Sequence, residues 1–291
     1  MIDLQMHSCY SDGSMTPAEL VREAKDIGLT AIALTDHDTI EGIPEFLHTG
    51  SELNITTIPG VEISIDTSLP NNGHLHMLGL FIDPDNSELK NKLDYLRHHR
   101  NERAKKILEK LEDLGVGITL KDLLAEAGEG SIGRPHIAKI LLKNNIVSTL
   151  QQAFDLYLAK GKPAYVDKIK FDEQNAIRLI KEAGGLAILA HPHLMNFPTI
   201  AETKNKIIQL KELGLDGFEV YYSTMPHAYS SDLLRFAEEN NLAISGGSDY
   251  HGKNKQGIFM GTGQGDLEIP DEIYSQLKKK WEVLKSRVLT S

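Results

Sequence analysis

Cysteine is nearly absent from this chain. A single cysteine, Cys9, stands among 291 residues, so no intrachain disulfide can form and a thiolate-built zinc site is argued against. The same scarcity fits a reducing compartment, and a cytoplasmic protein is expected. No stretch approaches the ~20 apolar residues of a membrane span. The N-terminus enters a strand pattern directly, without the basic region and apolar core of a signal peptide. Positive charge is also in short supply: 31 Lys+Arg stand against 41 Asp+Glu, a formal net charge of −10. That removes a global basic field, so no stable duplex DNA partner is expected and only a local basic patch is left to meet nucleic acid. There is no internal repeat and no low-complexity tract. Nothing in the sequence fixes the oligomeric state.

What is present is a rhythm. The chain opens MIDLQMHSCYSDGS, and Ile2, Leu4 and Met6 alternate as in a strand with one buried face. Thr16, Pro17 and Glu19 read as a capped helix start, Leu20, Ala24 and Ile27 as its apolar stripe, and Gly28 as its stop. TAIALTDHD is a buried strand ending on acid, imidazole, acid. A helix is predicted over 40–50, then a strand running into Glu62, then another in GHLHMLGLFID. Helices predicted over 172–183, 200–213 and 226–240 lead into GLAILAHPH, LDGFEVYY and LAISGGSDYH. Strands alternating with helices predict βα units, a parallel sheet and an α/β barrel, with the chemistry at the carboxyl ends of the strands. From 86 to 162 the pattern is helical, so an inserted helical subdomain is expected there between barrel segments 1–85 and 163–291. The last helix carries Tyr274, Leu277 and Trp281 and reads as packing.

The strand ends collect His7, Asp12, Asp36, His37, Asp38, Glu62, His74, His76, His191, His193, Asp249 and His251. Each has a plain reading alone. A lone strand-end histidine is usually a satisfied polar group. Asp36 or Asp38 can cap the next helix, and for Asp38 capping is the better reading. His193 reads as a loop residue, and a Cys9–His7 thiol pair is the weaker alternative. Recurrence after several separate strands points instead to divalent metal: imidazole with carboxylate suits Zn, Mn and Fe. Two ions about 3.5–4 Å apart activate water toward a phosphoester.

The segments DLQMHSCYSDGSMTPAELV, LTDHDTIEG, PGVEIS, HMLGL, AHP and SDYH, in that order, resemble the successive motifs of the PHP (polymerase and histidinol phosphatase) family. GRPHIAK and GKPAYV resemble its stand-alone bacterial branch acting on nucleotide phosphates. The resemblance implies a distorted (β/α)7 barrel, two or three divalent ions (Mn first, Fe or Zn otherwise), and hydrolysis of the 3′-phosphate of nucleoside 3′,5′-bisphosphates or 5′→3′ degradation of short RNA. It places His7, Glu62 and Asp249 on one metal, Glu62, His76 and His191 on a second, and Asp12, His37 and His251 on a third. His76 is preferred to His74 because an apolar-apolar-Gly sequence follows it. Catalytic roles fall to His37, His191 and Asp249, and substrate binding to Arg134 and His136. Lys162 is a weaker phosphate candidate, Glu219 a residue orienting a ligand, and Tyr221 and Tyr222 packing residues or base-stackers. The chain departs from the family at Gln5, where the first histidine of His-x-His is expected; an amide oxygen there would bind a hard ion more weakly. A small-metabolite phosphatase of the histidinol-phosphatase type and a non-catalytic metal-binding module are the alternatives.

Overall fold

The computed structural model describes residues 1–66, 68–127 and 132–288. In chain order the elements are β1 (Ile2–Met6), α1 (Pro17–Asp26), β2 (Ala31–Leu34), α2 (Ile43–Leu53), β3 (Thr56–Ser64), β4 (His76–Leu80), α3 (Ser87–Asp113), α4 (Leu120–Ala127), α5 (Arg134–Lys143), α6 (Leu150–Ala153), α7 (Glu173–Glu182), β5 (Leu186–Leu189), α8 (Ile200–Glu212), β6 (Gly217–Tyr222), α9 (His227–Glu239), β7 (Ala243–Gly247) and α10 (Asp271–Val288). They divide into two compact units, Met1–Asn91 with Lys170–Ser291, and Lys92–Ile169.

The first unit is a seven-stranded sheet in the order β1 to β7. It nearly closes on itself, giving a distorted α/β barrel. At the seam Met6 pairs with Tyr250, and the N–H groups of His7 and Asp249 donate to the carbonyls of Tyr250 (2.9 Å) and Gln5 (3.0 Å). Gly247 permits this closure, since a Cβ there would collide with Gln5. Ile2, Leu4, Ala33, Ile58 and Ile188 share one buried apolar cluster with Ile273 and Leu277 of α10. The capping box at α1 forms as read: Glu19 N–H donates to Thr16 Oγ1 (3.2 Å) and Thr16 N–H to Glu19 Oε2 (2.8 Å).

The sheet is not wholly parallel, as the βα rhythm predicted. β4 runs antiparallel to both β3 and β5. The reason is the connection: residues 65–75 join β3 to β4 without a crossover helix among the described residues, and a parallel neighbour needs such a crossover. The inversion matters for chemistry. It brings the beginning of β4, where His76 stands, to the barrel end reached by the carboxyl ends of the other strands, with His76 paired to Ser64.

Two register slips also shape the site. Ile2 pairs with Ala31 and Met6 with Leu34, four steps on β1 against three on β2. Glu219 pairs with Ser245 and Tyr221 with Gly246, two steps on β6 against one on β7. Each slip is one extra residue, a bulge, and shifts which side chains face inward. All five residues of β1 are buried, so the strand has no exposed face, and the one-buried-face reading of Ile2, Leu4 and Met6 does not hold.

The second unit has its own core. Ile107 and Leu111 of α3, Leu123 of α4 and Ile137 and Leu141 of α5 are buried together. A π-turn, Phe154–Leu158, follows α6.

Candidate metal centre

Six separate segments deliver side chains to one end of the barrel. Gln5 and His7 come from β1 and its end, His37 follows β2, Glu62 lies on β3, His76 opens β4, His191 follows β5, and Asp249 and His251 follow β7. Asp12 comes from the turn after β1. Gly13 lets that turn fold back, since a Cβ there would strike the carbonyl of His7.

Glu62 is the hub. Its Oε1 lies 2.6 Å from Nδ1 of His76 and 3.1 Å from Nε2 of His191. Its Oε2 lies 3.1 Å from Nε2 of His7, 3.6 Å from Nδ1 of His37, and accepts from Nε2 of Gln5 at 3.2 Å. His7 Nε2 is also 3.0 Å from Asp249 Oδ1. Asp12 faces a second cluster, with Oδ1 3.2 Å from His251 Nε2 and Oδ2 3.9 Å from His37 Nε2. Among the described residues three groups bring donor atoms within 4.8 Å of one another: His7, Glu62 and Asp249; His37, Glu62 and His76; and His7, Asp12, His37 and His251. The first is the triad expected from the motifs. The others differ in detail: His37 stands in both, His7 joins the Asp12 group, and His191 reaches Glu62 without entering a group.

The electrostatics fit cations. His7, Glu62 and Asp249 are buried together. Burial alone would disfavour the imidazolium, yet contact with Asp249 and Glu62 reverses it and raises the pKa of His7 well above its ordinary value. Burial lowers the pKa of His37 to about 4, so its ring is neutral near neutral pH and keeps a lone pair to offer. Gln5 Oε1, Nδ1 of His7, Nδ1 of His37 and Nδ1 of His191 are buried without a hydrogen-bond partner among the described residues. Such orphaned atoms are costly unless something else satisfies them. Nitrogen and carboxylate donors converging in this way suit borderline and hard divalent ions.

The sequence pattern of the PHP domain matches residues 3–166, more than half of the chain. The chain belongs to the PHP family. Over 249 residues this PHP chain is 38% identical to a 5′-3′ exoribonuclease of Haemophilus influenzae, covering 86% of this chain and 89% of that one. It is 30% identical over 293 residues to a 3′,5′-nucleoside bisphosphate phosphatase of Chromobacterium violaceum, covering 99% and 98%. Among solved structures it is similar to a candidate metal-dependent phosphoesterase of Bifidobacterium adolescentis, at a TM-score of 0.80, 29% identity and 95% and 94% coverage. With these relatives, the PHP chain is a phosphoesterase.

Around the PHP site, several residues take roles that the sequence did not give them. Asp36 caps nothing: it accepts from Ser8 N–H (2.7 Å) and from the hydroxyls of Ser8 and Ser11, tying down the turn between His7 and Asp12. Asp38, expected to cap the next helix, instead accepts from Ser64 N–H (3.0 Å), and Gly42 precedes α2. Its left-handed backbone, φ 53°, is not the extended conformation of an N-cap. Glu219 accepts from the N–H of His191 at 2.7 Å, fixing that residue through its backbone. Burial first, then the negative charges of Asp249, Glu62 and Asp3, raise the Glu219 pKa well above the carboxylate range. Tyr222 is not only packing: its hydroxyl donates to Asp249 Oδ2 at 2.7 Å. Tyr221 stays against the apolar cluster. His74 lies 5.1 Å, ring to ring, from His76, but it is His76 that meets Glu62. His193 is half-buried and bonds Thr224 Oγ1 at 3.0 Å. Burial and the charge of Asp36 push the Cys9 thiol up, against a thiolate nucleophile.

Three residues escaped the sequence reading. Lys255 reaches Asp249 and Tyr222. Asp3, fully buried, accepts from Ser248 N–H (2.9 Å) and Gly261 N–H (2.8 Å), holding the residue beside Asp249; burial raises its pKa to about 6. Arg103, in the helical unit, donates to the Val166 carbonyl at 2.8 Å. Arg134 in that unit donates from Nη1 to the Leu158 carbonyl at 2.9 Å and stands over the Tyr165 ring, 5.5 Å from its centroid. His136 receives the Gly133 N–H on Nδ1 at 3.1 Å, closing the start of α5. Lys162 is exposed. Among the described residues no helix is long and apolar enough to cross a membrane.

Proposed function

We propose that this chain hydrolyses the 3′-phosphate of nucleoside 3′,5′-bisphosphates, such as adenosine 3′,5′-bisphosphate to AMP, and also degrades short 5′-phosphorylated RNA from its 5′ end. One observation carries the reading: both oxygens of a single buried carboxylate, Glu62, face imidazoles from four other segments. A carboxylate so placed would hold neighbouring divalent ions. The two full-length relatives, an exoribonuclease and a bisphosphate phosphatase, support the substrate class.

His7, Glu62 and Asp249 would hold one ion with Gln5 beside them, Glu62, His76 and His191 a second, and Asp12, His37 and His251 a third. Mn is the first choice, with Fe or Zn as the others. Bound ions would lower the pKa of water and stabilise charge gathering on the phosphoryl oxygens. The residues contribute the rest. His37, His191 and Asp249 act at the reacting phosphate. Glu219 and Asp36 hold His191 and the His7–Asp12 turn in place, so the site does not reorganise during reaction. Arg134 offers a planar fork matched to a second phosphate, beside His136. A single cysteine fits work in the cytoplasm.

The test is phosphate release by Mn-loaded protein from adenosine 3′,5′-bisphosphate, AMP, histidinol phosphate and a 5′-phosphorylated RNA oligomer, with His37→Ala as control. Release from the bisphosphate well above that from AMP is expected, together with mononucleotides from the RNA. Equal release from bisphosphate and AMP would remove the 3′ selectivity, preference for histidinol phosphate would favour a small-metabolite phosphatase, and no release at all would favour a binding module.

A further inference from the structure

Asp249 presents two unlike oxygens. Oδ1 lies 3.0 Å from His7 Nε2 and 3.7 Å from His251 Nδ1. Oδ2 accepts from the Tyr222 hydroxyl at 2.7 Å and from the Lys255 ammonium. Nζ of Lys255 is in turn 3.3 Å from the Tyr222 hydroxyl and 5.6 Å from the Tyr222 ring centroid. The three side chains thus close a triangle around one oxygen.

The backbone sets up this triangle. After His251 a short 3₁₀ turn, Gly252–Asn254, folds the chain back toward Asp249. The turn is pinned to the loop after β1, with Lys253 N–H on Ser14 Oγ and Asn254 Nδ2 on the Asp12 carbonyl, both at 2.8 Å. The bulge in β6 brings Tyr222 opposite Gly247, on the inward side. Asp249 itself holds a left-handed backbone, φ 57°, which a non-glycine residue adopts only when its surroundings enforce it.

We propose that Lys255 is a positioning residue of the metal centre: with Tyr222 it occupies Oδ2 of Asp249, so that Asp249 offers only Oδ1 to an ion shared with His7 and Glu62. The assignment rests on the metal-centre reading given above. A carboxylate oxygen has two lone pairs, and the two donors fill both at Oδ2. The carboxylate is nearly buried while Lys255 is about one-third exposed, so this is not a loose surface pair of negligible worth. The ammonium also removes negative potential from the site. An ion bound there would be held less tightly than the carboxylates alone would hold it.

The experiment is calorimetric titration of Mn²⁺ into metal-free wild-type protein and into Lys255→Met, Lys255→Arg and Tyr222→Phe, with kcat and KM measured on the Mn-loaded forms. Removing a unit charge a few ångströms away should tighten Mn²⁺ binding about tenfold in Lys255→Met. Its kcat should fall while KM stays near the wild-type value. Lys255→Arg should restore both, and Tyr222→Phe should shift affinity in the same direction by less. Unchanged or weaker Mn²⁺ binding in a folded Lys255→Met protein overturns the assignment, as does a raised KM with wild-type Mn²⁺ affinity, which would make Lys255 a substrate contact. If Lys255→Met does not fold, Tyr222→Phe decides: unchanged affinity overturns it. Wild-type protein that takes up no Mn²⁺ would instead overturn the metal-centre reading.

Discussion

Glu62 and His76 face each other across antiparallel strands, Oε1 to Nδ1, at 2.6 Å. The other oxygen of Glu62 is left for His7, 3.1 Å away. One buried carboxylate therefore joins two clusters, and its charge is the feature on which both depend.

Glu62→Gln keeps the shape and removes that charge. Metal affinity should fall beyond the ~10–100-fold that loss of a merely supporting residue costs. Phosphate release should fall with it. The check is elemental analysis after dialysis alongside the phosphate assay; wild-type metal content in a folded Glu62→Gln protein would contradict the bridging role.

Asp36 supports the site without facing it. Asp36→Asn weakens three bonds to Ser8 and Ser11 and loosens the turn carrying Asp12. Metal affinity should drop by about 10–100-fold, read by Mn²⁺ titration. An unchanged affinity would show that the turn holds its shape without Asp36.

Gln5 is where this chain leaves its family's usual pattern. Its Oε1 is buried and unpartnered among the described residues, while Nε2 donates to Glu62. Imidazole is the stronger donor for borderline metals, so Gln5→His should retain more metal per chain after dialysis. Equal content in both proteins under metal-replete conditions would refute this.

The pH dependence of the metal-free protein carries a sign. Burial lowers the His37 pKa from 6.5 to about 4. Between those values the unfolded chain binds a proton that the folded one refuses, so stability falls as pH drops from 6.5 toward 4. Wild-type protein should lose more stability over that window than His37→Gln, measured by denaturant titration of metal-free samples. Parallel losses in both would contradict the neutral buried ring.

Much of this was legible in the chain. The capping box at Thr16, the helix–strand alternation and the polar strand ends are local signals, and local signals survive folding. Four things were not. The inverted β4 leaves no mark in the pattern of GHLHMLGLFID, so His76 reads as one more strand-end residue when it begins its strand. The two bulges break the two-residue period, so Tyr222 reads as packing although it faces Asp249. Lys255 sits among polar residues in a loop and its partner lies across a turn, so nothing in its immediate neighbours distinguishes it from a solvated lysine. Asp38 has the composition of a cap, but a bond to Ser64 from the adjacent strand claims its side chain. In each case the missing information is a pairing beyond the residue's immediate neighbours.

The most direct measurement is anomalous scattering from crystals grown with Mn²⁺, collected above and below the Mn absorption edge. At least two peaks about 3.5–4 Å apart, with Glu62 between them and His7, His76, His191 and Asp249 around them, are the predicted result. A folded protein with no peak among these side chains would contradict the metal centre and the phosphoester chemistry built on it.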